Sequence, residues 1–89
     1  MLRIKTTKKF QKDVKKAKKQ GKKLILLKKV MTDLANENSL PAKFRDHKLT
    51  GNYINHRECH ITPDWLLIYK LEKNDITFER TGGHSDLFS

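Results

Sequence analysis

The feature that most limits how this chain can fold is a short apolar run from Trp65 to Leu71. Its sequence, WLLIYKL, is almost continuously apolar, and the preceding Thr62-Pro63-Asp64 is a turn sequence. Proline presets the φ angle of a turn, and aspartate tolerates the position that follows. A short apolar run that begins at a turn is typical of a central strand buried on both faces. The run therefore predicts the middle of a β-sheet.

Three further segments have the pattern of strands. His56 to Thr62 lies before the central run, and Ile76 to Thr81 follows it with alternating apolar and polar residues. Near the start of the chain, Leu2 to Thr6 alternates in the same way. Because successive side chains of a strand point to opposite faces, alternation indicates one face in the core. We expect one N-terminal strand and an antiparallel three-strand meander.

Two amphipathic helices are predicted between the first strand and the meander. Thr6 or Thr7 can cap the first helix, whose apolar residues recur at i, i+4 and i+7 as Phe10, Val14 and Ala17. The second helix runs from about Lys22 to Asn36, and its apolar stripe consists of Leu24, Leu27, Val30, Met31 and Leu34. Because the break at Gly21 is short, the two helices should form an antiparallel hairpin.

The residues from Asn36 to Thr50 are polar and include Pro41, which predicts a loop. The predicted fold class is therefore α+β, with the element order β-α-α-β-β-β. We expect the helical hairpin to cover one face of the sheet and to leave the other face for a site. Since the chain has 89 residues and shows no repeat, a single domain over residues 1–89 is predicted.

The charge of the chain is unevenly distributed. Met1 to Lys29 carries 13 Lys and Arg residues against one acid, Asp13, whereas Val30 to Ser89 carries 7 against 9 acids. An excess of this size favours a polyanion partner, with RNA or DNA ahead of a membrane surface. The alternative is a lysine-rich helix that is merely solvated. The lysines of the first helix that are candidates for RNA binding are Lys8, Lys12, Lys15, Lys16 and Lys19.

The sequence also indicates a cellular compartment. Cys59 is the single cysteine, so no internal disulfide can form, and this fits a reducing environment. No apolar run approaches the length of a membrane span, and the first ten residues lack the apolar core of a signal peptide. We therefore expect a cytoplasmic protein without a membrane partner.

The four histidines are the residues that could carry chemistry: His47, His56, His60 and His84. His56 and His60 are spaced like a helical zinc pair, but on a strand they would lie roughly 13 Å apart. A metal site is therefore disfavoured. His60 and Asp64 flank the predicted turn, where a carboxylate could orient the imidazole. RNA cleavage needs two proton transfers, a task that suits histidine. The alternative for any one histidine is a residue with no catalytic role.

Four other side chains are candidates for contacts with a nucleic acid. Arg57 and Arg80 lie on predicted strands and could bind a phosphate, or could instead pair with neighbouring glutamates. Trp65 and Phe88 could stack on a base, although Trp65 at the start of an apolar strand suits the core equally. Phe88 is the stronger candidate of the two, because it does not lie on a predicted strand or helix that would place it in the core.

Five stretches of the sequence together resemble one protein family. They are DHKLTGNY at residues 46–53, RECHI at 57–61, PDWLLIY at 63–69, RTG at 80–82 and HSDLF at 84–88. In this order and spacing they are similar to the YafQ branch of the RelE/ParE toxin superfamily, and the resemblance extends over nearly the whole chain. It implies a type II toxin that cuts mRNA in the ribosomal A site and that a cognate antitoxin neutralises.

The resemblance also implies roles for particular residues. His84 matches the family's principal general acid, Phe88 matches a C-terminal aromatic residue needed for activity, and the other matched active-site positions are His47, His60 and Asp64. The family usually has Ser or Thr where this chain has Gly83, and a Gly-Gly pair should loosen the placement of His84. Tyr53 replaces a common Trp.

The resemblance implies a ribosome-dependent endoribonuclease, and the histidine pattern predicts that it uses His/Asp acid–base chemistry without a metal or a cofactor. Its expected partners are the ribosome and ribosomal RNA, mRNA, and an antitoxin that is acidic and dimeric. Two alternatives remain open from the sequence. One is a basic nucleic-acid-binding module without catalysis, and the other is a ParE-like gyrase poison on the same fold.

Overall fold

The computed structural model describes residues 1–88. Its strands are β1 Arg3–Thr6, β2 His47–Lys48, β3 Arg57–Thr62, β4 Trp65–Leu71 and β5 Asp75–Gly82. Its helices are α1 Lys8–Lys19, α2 Leu24–Ala35 and α3 His84–Phe88, with short 3₁₀ turns at Ala42–Phe44 and Gly51–Tyr53. Among these residues, no helix has the length and apolar character needed to cross a membrane.

The five strands form one sheet in the order β1-β5-β4-β3-β2. The first five residues of β4 are buried, which confirms the prediction of a central strand. β3, β4 and β5 form the predicted antiparallel meander. β1 instead pairs in parallel with β5, so that Arg3 lies opposite Asp75. The N-terminal strand and the antiparallel meander were predicted, but this parallel pairing was not.

The helices α1 and α2 cover one face of the sheet. Thr7 caps α1, because its hydroxyl accepts a hydrogen bond of 3.0 Å from the Phe10 backbone N–H. The apolar stripes of both helices enter the main core, where Phe10 and Leu27 are buried with Leu67 and Phe78 of the sheet. This arrangement places the remaining face of the sheet away from the helices.

That second face has a smaller core of its own. Leu66 and Ile68 of β4 are buried against Leu87 of α3, with Leu49 and Tyr53 packed at the margin. The sequence did not predict α3, because a five-residue helix is too short to show a helical period. The two-residue strand β2, which lies in the predicted loop, is likewise too short to show alternation.

Candidate active site

One group of polar side chains lies at the β2–β3 edge of the second face; we call it the histidine–glutamate cluster, and it consists of His47, Glu58 and His60. His47 lies opposite Glu58 in the strand pairing, and His60 follows Glu58 two positions along β3. All three therefore share a face. The Glu58 Oε1 atom is 3.5 Å from His47 Nε2 and 3.6 Å from His60 Nε2. One carboxylate oxygen thus contacts both imidazoles.

Glu58 is the member of this cluster that the sequence analysis missed. It is only 5% exposed, and its Oε2 atom has no hydrogen-bond partner among the described residues. A buried carboxylate oxygen without a partner is costly, and such groups are rare unless they serve a function. The signal was present in the sequence, because Glu58 and His60 are two apart on a predicted strand and must point the same way.

The His47 ring lies between two oxygen acceptors. Its Nδ1 atom contacts the Arg45 carbonyl oxygen, and its Nε2 atom faces Glu58. These two oxygens flank the imidazole ring and fix its orientation.

The structure corrects the predicted partnership of His60 and Asp64. The β3–β4 pairing is irregular between His60 and Thr62, and His60 lies opposite Leu66. The carboxylate beside His60 is therefore that of Glu58. Asp64 lies in the turn, close to Gly83: a Cβ on Gly83 would be 3.5 Å from the Asp64 carbonyl oxygen. Asp64 thus belongs beside the segment that carries His84.

A second group of side chains surrounds α3. His84 is the first residue of this helix and is exposed, and its ring centroid lies 4.9 Å from that of Phe88. The Phe88 ring in turn meets the Tyr53 ring edge-on at 5.9 Å. Leu87, between them in sequence, is buried against β4. The burial of one leucine thus orients a short helix that presents His84 and Phe88.

Asp86 holds the start of α3. Its Oδ2 atom accepts a hydrogen bond of 3.1 Å from the Gly83 N–H, and its Oδ1 atom accepts one of 3.0 Å from Lys16 Nζ. These contacts, with that of Lys16 foremost, lower the pKa of Asp86. The Gly83 carbonyl also accepts from the backbone of Asp86 and Leu87. The glycine pair before His84 is therefore more constrained than the sequence suggests.

Arg80 lies on β5, on the same face of the sheet as the two groups. It is opposite Ile68, which is in turn opposite Glu58 across β4. Its guanidinium donates to Asp13 of α1 at 2.7 and 3.2 Å. These hydrogen bonds are the largest cause of the raised pKa of Arg80. The predicted alternative of an ion pair is correct in kind, but the partner comes from α1 and not from a neighbouring glutamate.

The two groups face each other across β4. His60, Leu66 and Gly82 are aligned on adjacent strands, so two strand spacings put the outer Cα atoms roughly 10 Å apart. Leu66 and Ile68 lie between the groups as an apolar floor. The structure therefore brings three predicted histidines, His47, His60 and His84, to one face of the sheet.

Two predicted substrate-binding residues lie outside this site. Trp65 is only 2% exposed, and its Nε1–H donates to the Thr81 hydroxyl at 2.9 Å, so it belongs to the core and cannot stack on a base. Arg57 lies opposite Tyr69 and pairs with Asp46 at 3.3 Å. Since Arg57 is adjacent to Glu58 on β3, it points to the other face of the sheet.

The remaining candidates concern metals and RNA. Residues 1–88 contain no cluster of three or more His, Cys, Asp or Glu side chains arranged to hold a metal ion. Cys59 is fully buried, and burial together with the nearby Asp46 and Glu58 raises the pKa of its thiol to about 12. The five candidate lysines of α1 are all exposed: Lys8, Lys12, Lys15, Lys16 and Lys19.

Comparison with known sequences identifies one family, both by a family model and by individual relatives. The family model for the YafQ toxin, the bacterial toxin of a type II toxin–antitoxin system, matches residues 2–89. The mRNA interferase toxin YafQ of Escherichia coli strain K12 is 48% identical over 80 residues, which cover 89% of this chain and 87% of that protein.

Comparison with solved structures confirms the fold. The structure is similar to the crystal structure of YafQ from E. coli strain BL21(DE3), with a TM-score of 0.95, 42% identity and 100% coverage of both chains. The YafQ chain of the E. coli DinJ–YafQ complex gives a TM-score of 0.93 at 43% identity, again with 100% coverage of both. A metal-bound toxin from Helicobacter pylori gives a TM-score of 0.93 at 48% identity, covering 99% of this chain and 100% of that one.

Proposed function

The chain belongs to the YafQ toxin family and is an endoribonuclease of the mRNA interferase type, and we propose that it cuts mRNA held in the ribosomal A site by histidine acid–base chemistry. The observation that carries this mechanism is the placement of His47, His60 and His84 on one face of the sheet around an apolar floor. The whole chain, residues 1–89, acts as a single toxin domain.

His84 is the proposed general acid. It is exposed at the first position of α3, where a phosphodiester lying over Leu66 can reach it. As the bond between phosphorus and the 5′-oxygen breaks, the leaving oxygen needs a proton, and an imidazolium can supply it. The Phe88 ring beside His84 is 40% exposed, which leaves a face for stacking on a base.

His60 is the proposed general base. Glu58 contacts its Nε2 atom, and a carboxylate at one ring nitrogen holds the tautomer in which the other nitrogen is basic. The Nδ1 atom then takes the proton of the 2′-hydroxyl as the 2′-oxygen bonds to phosphorus. His47 and Arg80 stabilise the charge that develops on the phosphate oxygens. The products are an upstream fragment with a 2′,3′-cyclic phosphate and a downstream fragment with a 5′-hydroxyl.

The basic helix α1 is the proposed contact with ribosomal RNA. It offers an exposed row of lysines within a segment that has 13 basic residues and one acid. Charge of this density attracts a phosphate backbone without regard to base sequence. Because ribosomal RNA and mRNA come together on translating ribosomes, the protein acts in the cytoplasm.

An acidic, dimeric antitoxin is the proposed neutralising partner. A groove of about 840 Å³ between α2 and the β3–β4 turn has apolar side chains such as Leu26 and Phe44, with Lys29 and Lys43 beside them. An acidic amphipathic segment complements this combination of apolar and basic side chains. His60 also borders the groove, so a segment bound there would block the general base. Charge reversal at Lys29 and Lys43 should weaken neutralisation more than it weakens mRNA cleavage.

The decisive experiment is to map cleavage of one mRNA during translation by the wild type and by His84→Ala. We expect wild-type cuts within A-site codons and at least a hundredfold loss in His84→Ala with ribosome binding retained. Unchanged cutting by His84→Ala would refute the acid–base mechanism. DNA damage without mRNA cleavage would instead support the gyrase alternative, which the family match and the histidine set argue against.

The same assay tests the independence from metal. At constant magnesium, which ribosomes need, removal of transition metals by a selective chelator should leave cleavage unchanged. Loss of activity on chelation, and its return with one added metal, would contradict the mechanism.

A further inference from the structure

Asp13 stands out in the most basic part of the chain. It is the single acid among residues 1–29, and it lies on α1 among exposed lysines. Its own side chain is only 14% exposed, because it points towards the end of β5. An acid retained within a surface that is otherwise suited to RNA weakens the attraction to phosphate, so its local contacts should explain it.

The Asp13 carboxylate makes three hydrogen bonds to two consecutive residues of β5. It accepts from Arg80 Nε at 2.7 Å and Nη2 at 3.2 Å, and from the Thr81 backbone N–H at 3.1 Å. The Thr81 hydroxyl is itself bonded to the Leu66 carbonyl of β4 at 2.7 Å. These hydrogen bonds fix both the Arg80 guanidinium and the backbone at Thr81, which lies three residues before His84.

Asp13 does not use all the donors of the Arg80 guanidinium. An arginine offers five N–H donors in a fixed planar fork. Asp13 engages the edge formed by Nε and Nη2, and Tyr53 lies near enough to contribute to the raised pKa of Arg80. Asp13 does not engage the outer edge, which is formed by Nη1 and Nη2. Because Arg80 is in the same cross-strand row as Ile68 and Glu58, that edge can serve a phosphate above the apolar floor.

We propose that Asp13 is a positioning residue for mRNA cleavage: from α1 it holds Arg80 in the orientation that stabilises charge on the reacting phosphate. This inference rests on the proposed function, in which Arg80 contacts that phosphate. It assigns α1 a second role besides RNA docking, because the same helix sets the geometry of the site. A misplaced guanidinium forfeits interactions that the transition state needs, even though the protein remains folded.

The chain contains a matched control in Asp75. Its side chain is also 14% exposed, and it also accepts from an arginine, Arg3 Nε at 2.8 Å, at the other end of β5. Asp75 differs from Asp13 in lying far along the strand from His84. If Asp13 only stabilised the fold, Asp13→Asn and Asp75→Asn would have similar consequences.

The experiment compares wild type, Asp13→Asn, Asp75→Asn, Arg80→Ala and the double variant Asp13→Asn/Arg80→Ala. Single-turnover cleavage of mRNA on ribosomes is measured beside the thermal midpoint of each protein. We expect Asp13→Asn to cleave about tenfold more slowly, mainly through the rate at saturating ribosomes, and Asp75→Asn to cleave like wild type. In the Arg80→Ala background, Asp13→Asn should have no further effect.

Each other outcome is informative. Wild-type rates in Asp13→Asn, or equal losses in the two Asn variants, would overturn the inference while leaving the proposed function intact. A further loss on adding Asp13→Asn to Arg80→Ala would also overturn it, because Asp13 would then act independently of Arg80. Failure of the wild type to cut mRNA would reject the proposed function itself. If Asp13→Asn does not fold, Asp13→Glu, which keeps the charge on a longer side chain, replaces it and should show the same dependence on Arg80.

Discussion

Removal of the Leu87 side chain should lower the rate of mRNA cleavage much more than it lowers the global stability of the fold. Leu87 is 7% exposed and packs in the small core with Leu66 and Ile68, apart from the main core beneath the helices. Replacing a buried leucine by alanine costs about 2–5 kcal/mol. α3 has only five residues and cannot persist as an isolated helix, so this contact is the main source of its attachment.

The expected size of the effect follows from that attachment. A loss of about 2 kcal/mol in docking lowers the ratio of attached to detached α3 by roughly 30-fold, since each 1.4 kcal/mol is a factor of about ten. Once α3 is detached, His84 and Phe88 leave the site, but the sheet and the two long helices remain. A helix of five residues held by few contacts should be only marginally docked in wild type, and the attached fraction then falls with this ratio. We therefore expect Leu87→Ala to cut mRNA several-fold to at most about 30-fold more slowly, with a small change in global thermal midpoint.

Leu27→Ala is the matched control, because it removes the same atoms from a residue of the main core that is 3% exposed. It should lower the thermal midpoint by about 10 °C or more and leave the folded fraction active. Circular dichroism melts and single-turnover cleavage at 15 °C separate the two effects. Hydrogen exchange at Asp86 and Leu87, whose N–H groups bond to the Gly83 carbonyl, reports detachment directly. Near-wild-type cleavage by Leu87→Ala, or a melt shifted as far as that of Leu27→Ala, would refute this reasoning.

Three further predictions concern charge. Because the pKa of Asp86 is lowered in the folded state, its stabilising contribution is present above its unfolded value of about 3.9 and disappears as the pH falls through the lower folded value. Melts between about pH 2 and 5 should show a larger loss of stability in wild type than in Asp86→Asn, where the lowered pKa of Asp75 still contributes. Cys59, whose pKa is raised to about 12 by burial, should resist alkylation at pH 8 until the protein unfolds, and rapid labelling of the native protein would contradict its placement. Replacing four α1 lysines by glutamine should weaken ribosome binding and flatten its salt dependence. The four are Lys8, Lys12, Lys15 and Lys19, and Lys16 is kept because it donates to Asp86. Undiminished binding would exclude α1 as the docking surface.

The elements with strong local signals were predictable from the sequence. The apolar run of β4 occupies the predicted residues Trp65–Leu71, and Thr7 caps α1 as its position before the helix suggested. These features depend on side-chain period and on local hydrogen bonding, which neighbouring residues determine. The sequence also predicted which face of the sheet carries the site, because the helical hairpin could cover only one face.

The missed features depend on contacts between distant parts of the chain. Asp13 and Arg80 are 67 positions apart, so no local pattern pairs them. The partnership of His60 with Asp64 was inferred from a regular hairpin, whereas an irregularity between His60 and Thr62 changes the register. The burial of Glu58 also depends on distant elements, because its neighbours in sequence do not show whether this strand position is covered. Such errors fall at the site itself, where function places buried charge and irregular pairing that general patterns do not anticipate.

The parallel pairing of β1 with β5 has a consequence for the order of folding. Arg3 pairs with a residue 72 positions later, so the first strand made during synthesis waits for the last one before it can join the sheet. Contacts of such long sequence separation form slowly and late. Arg80, His84 and Phe88 also emerge after every other element, so a growing chain has no assembled site while its own ribosome is still extending it. The topology thus keeps the site unassembled until synthesis has passed β5 and α3.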